Sequence, residues 1–348
     1  MSQLPLVIVN PTSAGGATGA VWARTASDLR THFGAFNCTF TKQKGDGRIL
    51  AFEAARAGRK FIIACGGDGT ISEAANGIVE SGCEAELGVL PSGTGGDFRR
   101  TLNIPTRTAD AARSLREGVT RKIDVVRVTH RDHEEKDVVR YSINVASFGM
   151  SERVVERVKR KGSAWAGANN SLLLGGQAAF ADAALRAALV FEKPTVRVAV
   201  DEQRERQLTL TNLCIANARY FGGGMKIALE AKLTDGLLDV VHIGDLSKLS
   251  ILVNAYRLYL GTHLGMQQVH HTRARRITAQ AVDANLKVRI EVDGELIGSL
   301  PATFEIMPHA LLIRTPNGEV MNASTNKATC ENVNYPTKAS LPRKFSRT

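Results

Sequence analysis

The chain has 348 residues, 43% of them hydrophobic and 23% charged, which is the composition of a globular protein long enough for two domains. No apolar run reaches the roughly 18 residues of a membrane span, and "MSQLPLVIVN" lacks the basic start and apolar core of a secretory signal. Five cysteines are scattered without a CxxC pair, which excludes a disulfide framework and predicts reduced thiols in a cytoplasmic protein without zinc. A net charge of +11 fits nucleic acid, an anionic membrane surface or phosphorylated small molecules, or serves solubility alone. Aromatics are only 5% and no basic stripe is interleaved with them, which argues against nucleic acid.

In chain order, the first 120 residues alternate strand and helix signals. "LVIV" (6–9) reads as a buried strand, "ATGAVWARTASDLRTHF" (17–33) as an amphipathic helix, "FNCTFT" (36–41) as a strand and 46–57 as a helix. "KFIIAC" (60–65), a helix from residue 70 and "LGVL" (87–90) continue the series. Such alternation gives βαβ units and a parallel sheet covered on both faces, with ligands beyond the carboxyl ends of its strands. Around residue 122 the pattern changes. "KIDVVRVTH" and "DVVRYSINVAS" flank the charged turn "RDHEEKD" as a hairpin. After a helical stretch at 150–190, the segments "PTVRVAV", "QLTLTNLCIAN", "LLDVVHI", "LKVRIEVD" and "ATFEIMP" predict an antiparallel sandwich, with one helix near 246–260. The tail from about 320 is polar and aperiodic and is predicted to be disordered.

Three strand ends of the first domain run into turn residues: "NPTSAGG" (10–16), "GGDGT" (66–70) and "PSGTGGDF" (91–98). One glycine-rich turn is weak evidence, but three at successive strand ends point to a shared phosphate-binding cleft. The loops match neither G-x-G-x-x-G nor G-x-x-x-x-G-K-[ST], so the dinucleotide and P-loop fingerprints fail. Asp68 would repel a bare triphosphate. It makes sense if Mg²⁺ bridges it to phosphate, or if it caps the helix beginning near Thr70.

Taken in order, "NPTS", "GGDGTISEAANGI", "LPSGTGGDFRRTLNI", "IDVVRV", "INVASFGM", "IANARYFGGGMKIALEAKLTDGLLDV" and "EVDGE" resemble the diacylglycerol kinase catalytic domain family over residues 5 to 315. That family holds bacterial lipid kinases and sphingosine and ceramide kinases, and is related to the NAD kinases. The resemblance implies an α/β plus all-β fold: a Rossmann-like parallel α/β domain of NAD kinase/diacylglycerol kinase type at 1–122, and an antiparallel β-sandwich lipid-substrate domain at 123–319. The final strand is free to return to the first domain, and 320–348 form the tail. It implies ATP held by Asn10, Pro11, Thr12, Ser13, Thr41, Gly66, Gly67, Asp68, Gly69, Thr70, Glu73, Ser92, Gly93, Thr94 and Asp97, together with Mg²⁺ at Asp68, Asp97, Asp124 and Asp235. Glu295 or Asp235 is the implied base, with Asp68 as a further catalytic group. On residue chemistry alone, "VDGE" and "TDGLL" are equally well plain turns.

The chain departs from the family pattern in three places. Gly96 replaces the asparagine of Gly-Thr-x-Asn-Asp-Phe, Leu229 stands where proline is usual, and Gly15 and Gly16 stand where bacterial relatives carry a lysine. The stretch 151–190 places Arg153, Arg157, Lys159, Arg160 and Lys161 around valines at helical spacing, followed by the apolar "SLLLGGQAAF". It is read as a peripheral contact with an anionic membrane and a pocket for acyl chains, or else as a solvated face and a core helix. The expected partners are a lipid acceptor and a membrane surface, with no nucleic acid; a homodimer is compatible with this reading. The expected function is a lipid kinase acting at the membrane from the cytoplasm. Two alternatives are an NAD kinase-like enzyme acting on a soluble nucleotide, and a non-catalytic nucleotide or lipid sensor.

Overall fold

The computed structural model describes residues 3–93, 96–132, 134–165 and 190–317, and for 158–165 the backbone alone. Its first part is β1 (Leu6–Val9), α1 (Ala17–His32), β2 (Asn37–Phe40), α2 (Asp46–Arg56), β3 (Phe61–Gly66), α3 (Asp68–Ser81), β4 (Glu86–Pro91), α4 (Asp97–Thr101) and α5 (Thr108–Glu117). β1 pairs in parallel with β2 on one side and β3 on the other, and β3 pairs in parallel with β4. The runs Val7–Val9 and Ile62–Cys65 are fully buried because helices cover both faces of the sheet. Burial pushes the Cys65 thiol up to about 12, so it stays protonated. α2 and α3 cross closely at Gly77, where an added Cβ would stand 2.1 Å from the carbonyl oxygen of Arg48. The helix expected from residue 70 begins two residues earlier, at Asp68.

The second part is β5 (Val119–Arg131), β6 (Asp137–Ser142), β7 (Val145–Gly149), α6 (Met150–Trp165), β8 (Thr195–Val200), β9 (Arg206–Thr209), β10 (Asn212–Ala216), β11 (Leu238–Ile243), α7 (Lys248–Asn254), α8 (Tyr256–Leu260), β12 (Val269–Ala274), β13 (Arg276–Ala281), β14 (Arg289–Val292) and β15 (Glu295–Thr315). One antiparallel layer runs β12-β11-β10-β7-β14-β15, and a second places β5, β6, β13, β8 and β9 around β15. Phe148 and Phe304 stack between the layers, with ring centroids 6.1 Å apart, among buried valines and isoleucines from both. β12 carries no alternation and β13 only the short RITAQA; both are absent from the sequence reading, and sheet pairing defines them.

β15 joins the two parts. Its first residues pair with β14, its middle with β5 and β13, and Leu312 and Ile313 pair in parallel with Glu86 and Leu87 of β4. The α/β sheet and the sandwich are thereby one continuous hydrogen-bonded sheet. Arg314 clamps the return, with Nε and Nη2 donating to Glu86 at 2.6 and 2.7 Å. Of the apolar segment named from sequence, "SLLLGGQAAF" lies outside the described residues, as do the side chains of Lys159, Arg160 and Lys161 and the residues from 318 onward.

The sandwich also carries a pH-sensitive pair. His242 of β11 stacks on His270 of β12 at 5.8 Å, and burial together with the neighbouring imidazole lowers its pKa from 6.5 to about 4. The unfolded chain binds this proton first, so stability is full above about pH 6.5 and falls as pH drops toward 4. The shift corresponds to about 3 kcal/mol. We expect His242→Phe to flatten thermal midpoints across this window, and an unchanged pH profile would show that His242 does not carry the effect.

Candidate active site

The strand order β2-β1-β3-β4 reverses between β1 and β3, and in open α/β sheets that is where ligands bind. Asn10 leaves β1 here. Its amide donates to Thr70 Oγ1 at 3.0 Å, and its Oδ1 accepts from the Thr12 hydroxyl and amide at 2.8 and 3.1 Å. Ser13 Oγ accepts from the Gly67 amide at 3.3 Å, so the first loop and the glycine turn hold each other. A cavity of about 260 Å³ opens beside them, lined by Asn10, Thr12, Ser13, Thr41, Lys42, Gln43, Lys44, Gly67, Gly69, Thr70, Glu73 and Glu295. Eight of these come from the expected nucleotide set, contributed by three separate strand ends and by α3. Glu73 accepts from the amides of Gly45 and Gly47 at 2.8 and 3.0 Å, which fixes the loop after β2. Burial and the nearby charge of Glu295 push its carboxyl above the usual range.

Glu295 reaches this cavity from the sandwich. It begins β15, and its carboxylate meets Lys44 Nζ at 3.2 Å and Arg140 Nη2 at 3.6 Å. The Asp-Gly turn before it is a tight hairpin with φ of 49° at Asp293 and 86° at Gly294, so the plain-turn reading of "VDGE" also holds. Asp293 is fully enclosed. Its oxygens accept from the Ser72 and Ser142 hydroxyls at 2.9 and 2.7 Å and from the amides of Ile143, Asn144 and Val145 at 3.1, 3.0 and 3.2 Å. Ser72 lies on α3 of the first domain, so this carboxylate bolts the glycine-loop helix to the sandwich. Burial raises the Asp293 carboxyl above its ordinary value, and the bonds from Ser142, Ile143, Ser72 and Asn144 pull it back.

A second cavity of about 260 Å³ lies on the other side of the glycine turn, lined by Gly66, Gly67, Asp68, Ile71, Pro91, Gly93, Gly96, Arg99, Arg100 and Thr106. Asp68 accepts from the amides of Asp97 and Phe98 at 3.0 and 3.3 Å, so it caps α4 rather than its own helix. Asp97 in turn accepts from Arg100 at 2.7 Å and from the Gly223 amide of the sandwich at 2.8 Å. Burial and the Asp68 charge push its carboxyl up. The other two carboxylates of the expected metal set stand elsewhere. Asp124 is inaccessible and accepts from the amides of Gly236 and His309 at 2.7 and 2.8 Å. Asp235 is half-buried, accepts from Leu237 at 3.2 Å, and is raised by burial and by the charges of Asp239 and Asp124. The four carboxylates thus form two pairs, and among the described residues no group of three or more His, Cys, Asp or Glu side chains is placed to hold a metal ion.

The remaining expected nucleotide residues are structural neighbours of the cleft. Ser92 hydrogen-bonds Thr18 and donates its amide to Gly66 at 2.9 Å, and the Pro11 carbonyl accepts from Gly19 at 3.0 Å. Thr94 lies outside the described residues. Gly66 and Gly93 are glycines for steric reasons. A Cβ on Gly66 would stand 2.5 Å from Thr70 Oγ1, and one on Gly93 would stand 2.7 Å from Gly67 Cα. Gly93→Ala therefore pushes apart the two loops that bound the cleft, and we expect nucleotide affinity to fall at least about tenfold in a fluorescent-nucleotide titration. Unchanged affinity would place the nucleotide away from this turn.

Residues 5–128 match the diacylglycerol kinase catalytic domain, and residues 160–315 match the YegS C-terminal NAD kinase beta sandwich-like domain. The diacylglycerol kinase of Bacillus subtilis is 31% identical over 263 residues, which span 75% of this chain and 79% of that one. The chain belongs to the diacylglycerol kinase catalytic domain family. On that membership it is an ATP-dependent lipid kinase. The diacylglycerol kinase of Staphylococcus saprophyticus is 28% identical over 91% of this chain and 97% of its own. A crystal structure of a diacylglycerol kinase from Bacillus anthracis shares the fold, with a TM-score of 0.65 at 18% identity, covering 90% of this chain and 97% of that one. The α/β plus antiparallel sandwich architecture is that of the family.

The family context gives the departure at Gly96 a physical reason. Gly96 has φ of +64°, and a Cβ there would stand 3.0 Å from Arg99 Nε. The Arg99 guanidinium fills the space that an asparagine side chain would take, and it is anchored by a bond to the Ile104 carbonyl at 2.9 Å. A cation here replaces an amide. Sequence reasoning missed Asp293, Lys44, Arg140 and Arg99. The Asp-Gly dipeptide marked Asp293 as a turn residue, but nothing local marked its five partners.

Proposed function

We propose that the enzyme transfers the γ-phosphate of ATP to the hydroxyl of a membrane lipid of the diacylglycerol type, with Glu295 as the base. What carries the proposal is the placement of Glu295 on the sandwich side of the cavity whose opposite wall is the glycine turn, Asn10 and Thr70. Phosphoryl transfer needs a positioned nucleotide, neutralised phosphate charge and a carboxylate near the attacking hydroxyl. Asn10, Thr12, Ser13, Thr41, Gly67, Gly69 and Thr70 supply hydroxyls, amides and open backbone for the nucleotide. Lys44 and Arg140 hold the Glu295 carboxylate in place at 3.2 and 3.6 Å. Asp235 is the weaker candidate for base, because its carboxylate pairs with the Leu237 amide beside Asp124 and does not line this cavity.

Hard oxygen donors suit Mg²⁺, and the neighbouring carboxylates Asp68 and Asp97 beside the glycine turn are where a cation would relieve like-charge repulsion. When bound with the nucleotide, Mg²⁺ would neutralise phosphate charge. The lipid names of the relatives and the net charge of +11 support an acceptor drawn from an anionic membrane, approached from the cytoplasmic side. Among the described residues, no helix is long and apolar enough to cross a membrane.

The test is transfer of labelled γ-phosphate from ATP·Mg²⁺ into diacylglycerol, phosphatidylglycerol, a sphingoid base and ceramide in mixed micelles, with NAD as a soluble acceptor. Label in a single lipid, absent with Asp68→Ala, is the expected result. Label in NAD alone would move the protein to nucleotide phosphorylation. Bound ATP with no label anywhere would make it a sensor.

A further inference from the structure

We infer that the helical run α7–α8 is the surface by which this enzyme docks on an anionic bilayer, an inference that rests on the lipid-kinase reading. Four large apolar side chains stand out in the water on this run: Leu249, Val253, Tyr256 and Leu260, exposed by 71, 59, 54 and 60%. Their spacing is i, i+4, i+7 and i+11, so they form one stripe on one face. Ala255, between the two helices, keeps helical dihedrals (φ −55°, ψ −34°), so the stripe is continuous. Exposed apolar residues are ordinary when scattered, but an aligned set of four marks an interaction surface.

Charge selects the occupant. From Leu246 to Val282 the chain contains no aspartate or glutamate, while Lys248 and Arg257 sit within the run. The acid before it, Asp245, is paired with Lys193. The Arg257 guanidinium lies over the Tyr256 ring at 6.0 Å from its centroid, a cation on an amphipathic ring. Lys226 follows at the far end, where its Cδ would be 3.4 Å from a Cβ on Gly261. An apolar stripe on a segment that carries cations and no carboxylate of its own matches headgroup phosphates above and acyl chains below.

The inner face of the same run ties it to the catalytic cleft. Leu258 packs against the buried cluster that includes Ile227, and its carbonyl accepts from the Lys226 amide at 2.7 Å. Leu229 packs against Gly261, with Cδ1 2.5 Å from where a Cβ would lie. The departure from proline at this position thus supplies an apolar buttress under the end of the run. Tyr259 lies about a quarter-turn round the helix from the stripe, and burial together with the Asp97 charge raises its phenol. Asp97 also holds the Gly223 amide. A bilayer against the stripe therefore lies on the Asp97 side of the glycine turn, the side opposite the Glu295 cavity.

The test uses the full chain and vesicles of phosphatidylglycerol with phosphatidylcholine, against phosphatidylcholine alone. Wild type is expected to sediment with the anionic vesicles only. Leu249→Asp with Leu260→Asp is expected to lower that partitioning at least about tenfold, while phosphorylation of a dispersed short-chain diacylglycerol is retained. Tyr256→Trp is expected to blue-shift its emission on anionic vesicles, a readout that holds if the double variant folds poorly. The inference is overturned by undiminished sedimentation of the double variant, or by no shift at Trp. It is equally overturned if the double variant turns a wild-type dimer into a monomer with sedimentation unchanged, because the stripe would then face a second copy. A stripe covered by the chain itself would show as a lowered thermal midpoint with unchanged sedimentation. Failure of the lipid-kinase reading looks different: no label enters any lipid, whatever the vesicles bind.

Discussion

Replacing Glu295 by glutamine is expected to lower kcat about a thousandfold while nucleotide affinity changes by no more than a few-fold. The substitution keeps volume and removes only the charge and the proton-accepting oxygen. In single-turnover assays the loss should fall on the chemical step, because the proposed nucleotide contacts come from the first domain. Lys44 and Arg140 then lose their shared anion, and each is left facing a neutral amide. A further expectation is that Glu295→Asp recovers part of the rate, since it restores the charge at a longer reach. If Asp235→Asn proves the more damaging change and Glu295→Gln is near wild type, the base lies at the other end of the cleft.

The largest effect on stability is expected at Asp293. Asp293→Ala leaves two hydroxyls and three amides without an acceptor in a fully enclosed space, and a single unsatisfied buried donor already costs about 1–3 kcal/mol. The total should exceed about 4 kcal/mol, at the extreme for a single substitution. Asp293→Asn preserves the shape but turns an amide nitrogen toward donors, and should recover only part of the loss. Because Ser72 on α3 is one of the partners, the nucleotide loop and the sandwich should loosen together. Thermal melts with and without ATP would read both effects; a midpoint within a degree or two of wild type would show that these bonds are replaceable.

Local pattern carried the first domain. The strands at 6–9 and 60–65 are unbroken apolar runs because helices cover both sheet faces, and their boundaries fall within a residue of the sequence reading. The glycine loops were legible for a steric reason: a turn where a Cβ would stand under 3 Å from a neighbour admits only glycine, as Gly66 and Gly93 show. The sandwich was less legible. β12 lacks alternation, and β15 pairs in turn with β14, β13 and β4 while holding β5, something no periodicity encodes.

The candidate site divides along the same line. By itself the sequence determined the parallel sheet, the three glycine-rich loops, and the acidic residues in their ordered motifs, because each follows from short-range sterics or spacing. Only the tertiary structure decided what the carboxylates do. It set Glu295 into the cavity shared with Thr70, turned Asp68 toward the amides of α4, and enclosed Asp293 among five donors from segments up to 221 residues away. It also seated Arg99 in the space left by Gly96 and left one apolar stripe on α7–α8 facing water. A charge states its identity in one letter, but its role depends on which donors, cations and solvent surround it. Those neighbours are assembled by the sheet that β15 closes.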